Sequence, residues 1–119
     1  MAFVRPLVSH DSHFTRLFQN RAIMRTMRVA IGQFTVAKEP ERNIAVIDGY
    51  AREAARNHAR LLVLPEGVIA RSDDDPHYAA DHAQAINGPF VTALRGISKT
   101  HGIAVMATAH LREASTPLP

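Results

Sequence analysis

The chain has 119 residues, 46% of them hydrophobic, with a formal charge of +3 and no cysteine. The length suits one domain or part of one, the composition is that of an ordinary globular protein, and no apolar run is long enough to span a membrane as a helix. The missing cysteine excludes disulfides and any cysteine nucleophile within these residues.

The positive charge gathers at the start. In residues 1–26, Arg5, Arg16, Arg21 and Arg25 are opposed by Asp11 alone, and the remainder is neutral. An Arg-rich, acid-poor stretch with interleaved Phe3, Phe14 and Phe18 has the composition of a targeting segment or a nucleic-acid arm. It has no sustained helical stripe, Pro6 interrupts it, and Met24 and Met27 are alternative starts, so residues 1–26 are read as a basic, disordered leader.

Met27 to Val36 opens the ordered part as a first strand, with β-forming Val29, Ile31 and Phe34. Lys38-Glu39-Pro40-Glu41 then starts a helix, proline in its first turn and two glutamates near the positive end of its dipole. The helix is expected to reach His58, with Ile44, Ile47, Ala51, Ala54, Ala55 and His58 as its buried stripe.

Arg60-Leu61-Leu62-Val63-Leu64-Pro65-Glu66-Gly67 is the central stretch. A short apolar run stopped by proline reads as a strand buried on both faces of a parallel sheet. Glu66 therefore stands just past the carboxyl end of that strand, where open α/β sheets form their ligand crevice. A carboxylate there is placed for general acid–base work, the alternative being a solvated loop glutamate. Arg71, a few residues on, can line the same crevice and grip a substrate carboxylate bidentately, or it is a surface salt-bridge arginine.

Between Val68 and Ile86 the periodicity fades. Asp73-Asp74-Asp75-Pro76 lacks the alternation and glycine of a calcium loop, and His77 and His82 miss the i, i+4 spacing of two ligands on a helix face, so this is read as a solvated acidic loop without a metal. Asn87-Gly88-Pro89 starts a second helix with a stripe of Phe90, Leu94, Ile97 and His101, closed by Gly102. Ile103 to Thr108 is the third strand. The alternation predicts an α/β fold with a parallel sheet, and a sheet stopping there exposes an edge and an apolar face.

Val29-Ala30-Ile31-Gly32-Gln33-Phe34, Asn43 on the first helix and Leu62-Val63-Leu64-Pro65-Glu66-Gly67 resemble the amino-terminal part of the carbon–nitrogen hydrolase (nitrilase) superfamily. Val68 to Asp74, Gly88-Pro89-Phe90 and Gly102-Ile103 are similar to its amidase branch, and within it to the deaminated glutathione amidases and omega-amidases. The resemblance divides the chain into a leader (1–26), the amino-terminal portion of a hydrolase domain (27–110) and an irregular tail (111–119). It implies the βαβαβ amino-terminal part of an αββα sandwich, here incomplete, with a Glu-Lys-Cys site that hydrolyses amides or nitriles through a thioester.

Glu66 matches the family's glutamate, a general base. The lysine and cysteine have no match, since Lys38 and Lys99 belong to the first loop and second helix. The resemblance thus implies a hydrolase of small carboxylate-bearing amides that stops short of its lysine and cysteine and is inactive alone; the alternative is a non-catalytic remnant or a half-sandwich that binds a partner. Expected partners are a small amide substrate, once the missing half completes the site, and further copies in a homo-oligomer. Cofactors, metals, nucleic acid and membrane are not expected, and the cytoplasm is the expected location.

Overall fold

The apolar run between Arg60 and Pro65 forms an inner strand of a sheet. The computed structural model describes residues 3–8 and 25–113. Its sheet runs β1 (Phe3–Val8), β2 (Arg28–Gln33), β3 (Leu61–Val63) and β4 (Ala104–Met106), in that spatial order. β2, β3 and β4 are parallel, with Ile31, Val63 and Met106 side by side. The expected α/β architecture with a parallel three-stranded core is therefore present. The helices are α1 (Pro40–Arg56), the short α2 (Tyr78–Asp81) and α3 (Pro89–His101).

Side chains on a strand alternate between faces, and burial follows that alternation. Ala30 and Gly32 of β2, with Leu62 and Leu64 in and after β3, are buried beneath the helices. A Cβ at Gly32 would lie 3.3 Å from the Tyr50 ring of α1 and 3.3 Å from Leu64, so glycine lets helix and sheet approach closely. From α1 come Ile47, Tyr50, Ala51 and Ala54, and from α3 Phe90 and Ile97. The opposite sheet face carries half-buried Val29, Ile31, Leu61 and Val63 and exposed Ala104 and Met106. The two long helices also meet directly, His101 Nε2 lying 2.8 Å from Asp48 Oδ1.

Phe3–Val8 departs from the expected disordered leader. It forms a strand antiparallel to β2, Phe3 opposite Gln33 and Val8 opposite Arg28. The physical reason is the edge that β2 would otherwise leave open, and Pro6, which cannot donate to a ladder, is tolerated on an outermost strand. The rest of the leader up to residue 24, and the tail from 114, lie outside the described residues. Leu111, expected in an irregular tail, forms a bridge with Gln84, and Arg112 N–H donates to Gln84 O at 3.1 Å. The Gln84 side chain in turn accepts Phe90 N–H at 2.9 Å, satisfying an open donor at the start of α3.

α1 also ends earlier than the stripe suggested. Its last residue is Arg56, and His58 is exposed at φ 62°. His58 N–H bonds to Ala55 O at 3.0 Å and Ala59 N–H to Ala54 O at 3.0 Å, a Schellman closure with histidine in the left-handed position. α3 stops in the same manner with Gly102 at φ 63°, and Ile103 N–H reaches Ser98 O at 3.2 Å. An L side chain resists that backbone conformation and glycine does not. His58→Gly is accordingly expected to stabilise the fold by roughly 0.5–1 kcal/mol, read as a raised urea midpoint at unchanged slope.

Candidate active site

Past Val63 the chain leaves the ladder gradually. Leu64 N–H still donates to Met106 O at 2.9 Å, Pro65 has no donor, and Gly67, at φ 65°, turns the backbone. Gly67 N–H and Val68 N–H both reach Thr108 O, at 3.0 and 3.3 Å, tying the turn to the segment after β4. Val68, Ile69 and Ala70 then plug into the core, all at most 3% exposed. Their burial fixes the two exposed residues at either end of the plug, Glu66 and Arg71.

Both residues line one cavity of about 360 Å³, together with Gly67, Asp73, Asp75 and His110. The sequence offered Arg71 as lining the crevice of Glu66 or as a surface salt-bridge arginine; in the fold it borders the same opening as Glu66 and also pairs with Asp73 at the surface. Arg71 Nε sits 3.3 Å from Asp73 Oδ1, with both side chains more than half exposed. A solvated pair of that kind is weak, so an incoming carboxylate can displace Asp73 from the guanidinium. Arg71 N–H donates to Ala37 O at 3.1 Å, linking the far end of the plug to the loop after β2.

His110 is the residue sequence reasoning passed over. Its ring lies over Gly67, where a Cβ would be 3.9 Å from Cε1 and 4.0 Å from Nδ1. No local motif marks it. The usable signal was its place just past the carboxyl end of β4, the same crevice address that singled out Glu66 past β3.

The acidic stretch after Arg71 makes local turn contacts, Asp74 N–H to Ser72 Oγ at 3.3 Å and His77 N–H to Asp75 Oδ1 at 2.9 Å. Among the described residues no group of three or more His, Cys, Asp or Glu is placed to hold a metal ion. Nor, among them, is any helix long and apolar enough to cross a membrane. A larger concavity of about 670 Å³ lies between α3 and β4, lined by residues such as Phe90, Leu94, Val105 and Leu111 with Arg95 and Lys99. It has no carboxylate among its lining residues, whereas the smaller cavity has Glu66, Asp73 and Asp75.

Because Gly67 holds a left-handed backbone while its missing side chain would meet only ordinary contacts, Gly67→Ala tests the turn itself. It is expected to cost about 1–2 kcal/mol in urea unfolding, with the amide signals of Gly67, Val68 and His110 moving most in a heteronuclear spectrum.

The segment that contains this turn lies within the part of the chain that known proteins match. Residues 28–117 match the family model described as carbon-nitrogen hydrolase, a match that continues past His110. The chain is 37% identical over 91 residues to a deaminated glutathione amidase of Escherichia coli O157:H7, covering 76% of this chain and 34% of that protein. It is also 32% identical over 81 residues to hydrolases from two strains of Mycobacterium tuberculosis, covering 68% of this chain and 28% of theirs. The chain thus spans about a third of the length of the curated relatives it matches. With the family model covering most of its residues, the chain belongs to the carbon–nitrogen hydrolase family.

Proposed function

We propose that the chain contributes the general-base portion of an amidase site acting on a small carboxylate-bearing amide, giving acid and ammonia. Glu66 is the proton acceptor and Arg71 holds the substrate's carboxylate. The observation that supports this reading is the shared cavity: a carboxylate and a guanidinium, held at the two ends of one buried plug, open onto the same space.

In the Glu-Lys-Cys chemistry that membership suggests, a thiolate adds to the amide carbon and a lysine meets the oxyanion. The C–N bond then breaks as the nitrogen takes up a proton, leaving a thioester that water hydrolyses. Glu66 takes the thiol proton in the first half, passes a proton to the departing nitrogen, and takes one from water in the second. These 119 residues contain no cysteine, so the thiolate comes from polypeptide outside them.

Succinamate, a minimal carboxylate-bearing amide, tests the binding half of this reading on the chain alone. Titration followed by amide chemical shifts is expected to perturb Gly67, Arg71 and His110 at millimolar concentration. Arg71→Ala should weaken binding by about 5–10-fold, and Asp73→Asn should tighten it about twofold, since the competing carboxylate is gone. Silence at these amides, or equal affinity in Arg71→Ala, refutes the assignment.

A second reading, a half-sandwich that binds a partner, is favoured by the apolar sheet face and by Met106, 56% exposed on edge strand β4. It expects concentration-dependent self-association in sedimentation velocity, abolished by Met106→Lys, with succinamate producing no shifts. A monomer at all concentrations rejects self-association.

A further inference from the structure

Asn43 takes no part in the chemistry above, and among the described residues it is the one polar side chain classed as buried, at 1% exposure. Burying an amide is costly unless its donors and acceptor are matched. Here Oδ1 accepts Ala37 N–H at 2.7 Å, while Nδ2 donates to Ala37 O at 3.0 Å and to Ile69 O at 3.0 Å. Ala37 O also receives Arg71 N–H at 3.1 Å. One side chain on α1 therefore joins the loop after β2 to the plug between Glu66 and Arg71, where no strand ladder is available to do so.

We infer that Asn43 is a positioning residue for this cavity: its amide fixes Ile69 directly and Arg71 through Ala37, and so sets where the guanidinium stands relative to Glu66. The inference rests on the proposed role of the Glu66–Arg71 cavity. Aspartate has the same shape but lacks the Nδ2 donors and would set an anion against the Ala37 and Ile69 carbonyls, so the role is specific to asparagine. Alanine would leave those groups and Ala37 N–H without their side-chain partner.

The test uses Asn43→Asp in the full chain. Hydrogen exchange is expected to accelerate about tenfold or more at the Arg71 amide, whose acceptor Ala37 O loses its Nδ2 tether, while Ala37, which keeps a side-chain oxygen to donate to, Gly67 and the Leu62 and Ala30 amides of the sheet keep their protection. Succinamate affinity should fall by about the same factor as in Arg71→Ala, and the double variant should lose little more. Faster exchange spread evenly over the sheet, or fully additive losses, would reduce Asn43 to a general stabiliser and overturn the inference.

If Asn43→Asp does not fold, the unmutated chain decides. Saturating succinamate should slow exchange of the Asn43 Nδ2 protons and the Arg71 amide, because coupling between ligand and clamp is reciprocal. Unchanged exchange at saturation overturns the inference. If succinamate does not bind at all, the substrate reading fails by itself, and the exchange pattern of Asn43→Asp, or of Asn43→Ala should Asn43→Asp not fold, still decides whether Asn43 holds the segment.

Discussion

Burial of the stretch from Leu62 to Ala70 is the constraint on which the cavity depends. Leu62, Leu64, Val68, Ile69 and Ala70 are all under 9% exposed, yet only the first of them lies in a regular strand. Each large aliphatic gains about 1.5–3 kcal/mol by burial, and each orphaned backbone group it drags inside costs about 1–3 kcal/mol. The two terms are of one size. The stretch can stay inside only because its backbone borrows partners: Met106 O for Leu64, Thr108 O for Gly67 and Val68, and the Asn43 amide for Ile69. Among the described residues, no buried side-chain nitrogen or oxygen is left without a partner either. A segment that is neither helix nor strand is thereby held inside the fold by hydrogen bonds to its neighbours.

Much of this was legible in the sequence because hydrophobic period carries direct physical meaning. The α1 positions Ile47, Ala51 and Ala54 and the α3 positions Phe90 and Ile97 are buried as their spacing implied. Gly102 closes α3 because only glycine takes that backbone conformation without strain, and Pro40 and Pro89 sit in first turns where no intrahelical donor is lost. Where the reading fell short, the deciding contact was distant in sequence. Asn43 and Tyr50 share the buried face of α1, but a polar residue on an apolar stripe is explained only by its partners, Ala37, Ile69 and, for the Tyr50 hydroxyl, Gln33 O at 2.9 Å. Phe3–Val8 pairs with β2 across a long separation, so nothing local announces it. His110 reaches the cavity through the register of β4 beside β3, which the local sequence does not state.

The turn at Glu66 follows from local physics. Strand-Pro-Glu-Gly is a motif because its residues divide the work. The strand delivers the chain to the crevice, proline ends the pairing, glycine makes the left-handed turn, and the carboxylate is left facing out between them. The same sheet presents an apolar second face and an open β4 edge. Surfaces of this type are aggregation-prone when bare and cohesive when covered.

The matched ends of α1 and α3 have a geometric consequence. Each helix is stopped by a left-handed residue, and two residues beyond it the chain makes its first hydrogen bond to the neighbouring strand segment: Arg60 N–H donates to Arg28 O at 2.9 Å, and Ala104 N–H donates to Arg60 O at 3.0 Å. The stops therefore act as zero marks on a ruler from which β3 and β4 are measured in parallel. Because strand residues alternate sides, adding or deleting one residue between Asn57 and Arg60 would turn Leu62 outward and shift Glu66 by a full step. From Ser72 to Ala83, before Gln84 pairs with Leu111, no strand pairing imposes such a count. A changed length there would alter the rim of the cavity, while the position of the carboxylate stays indexed to a helix end at the opposite end of β3.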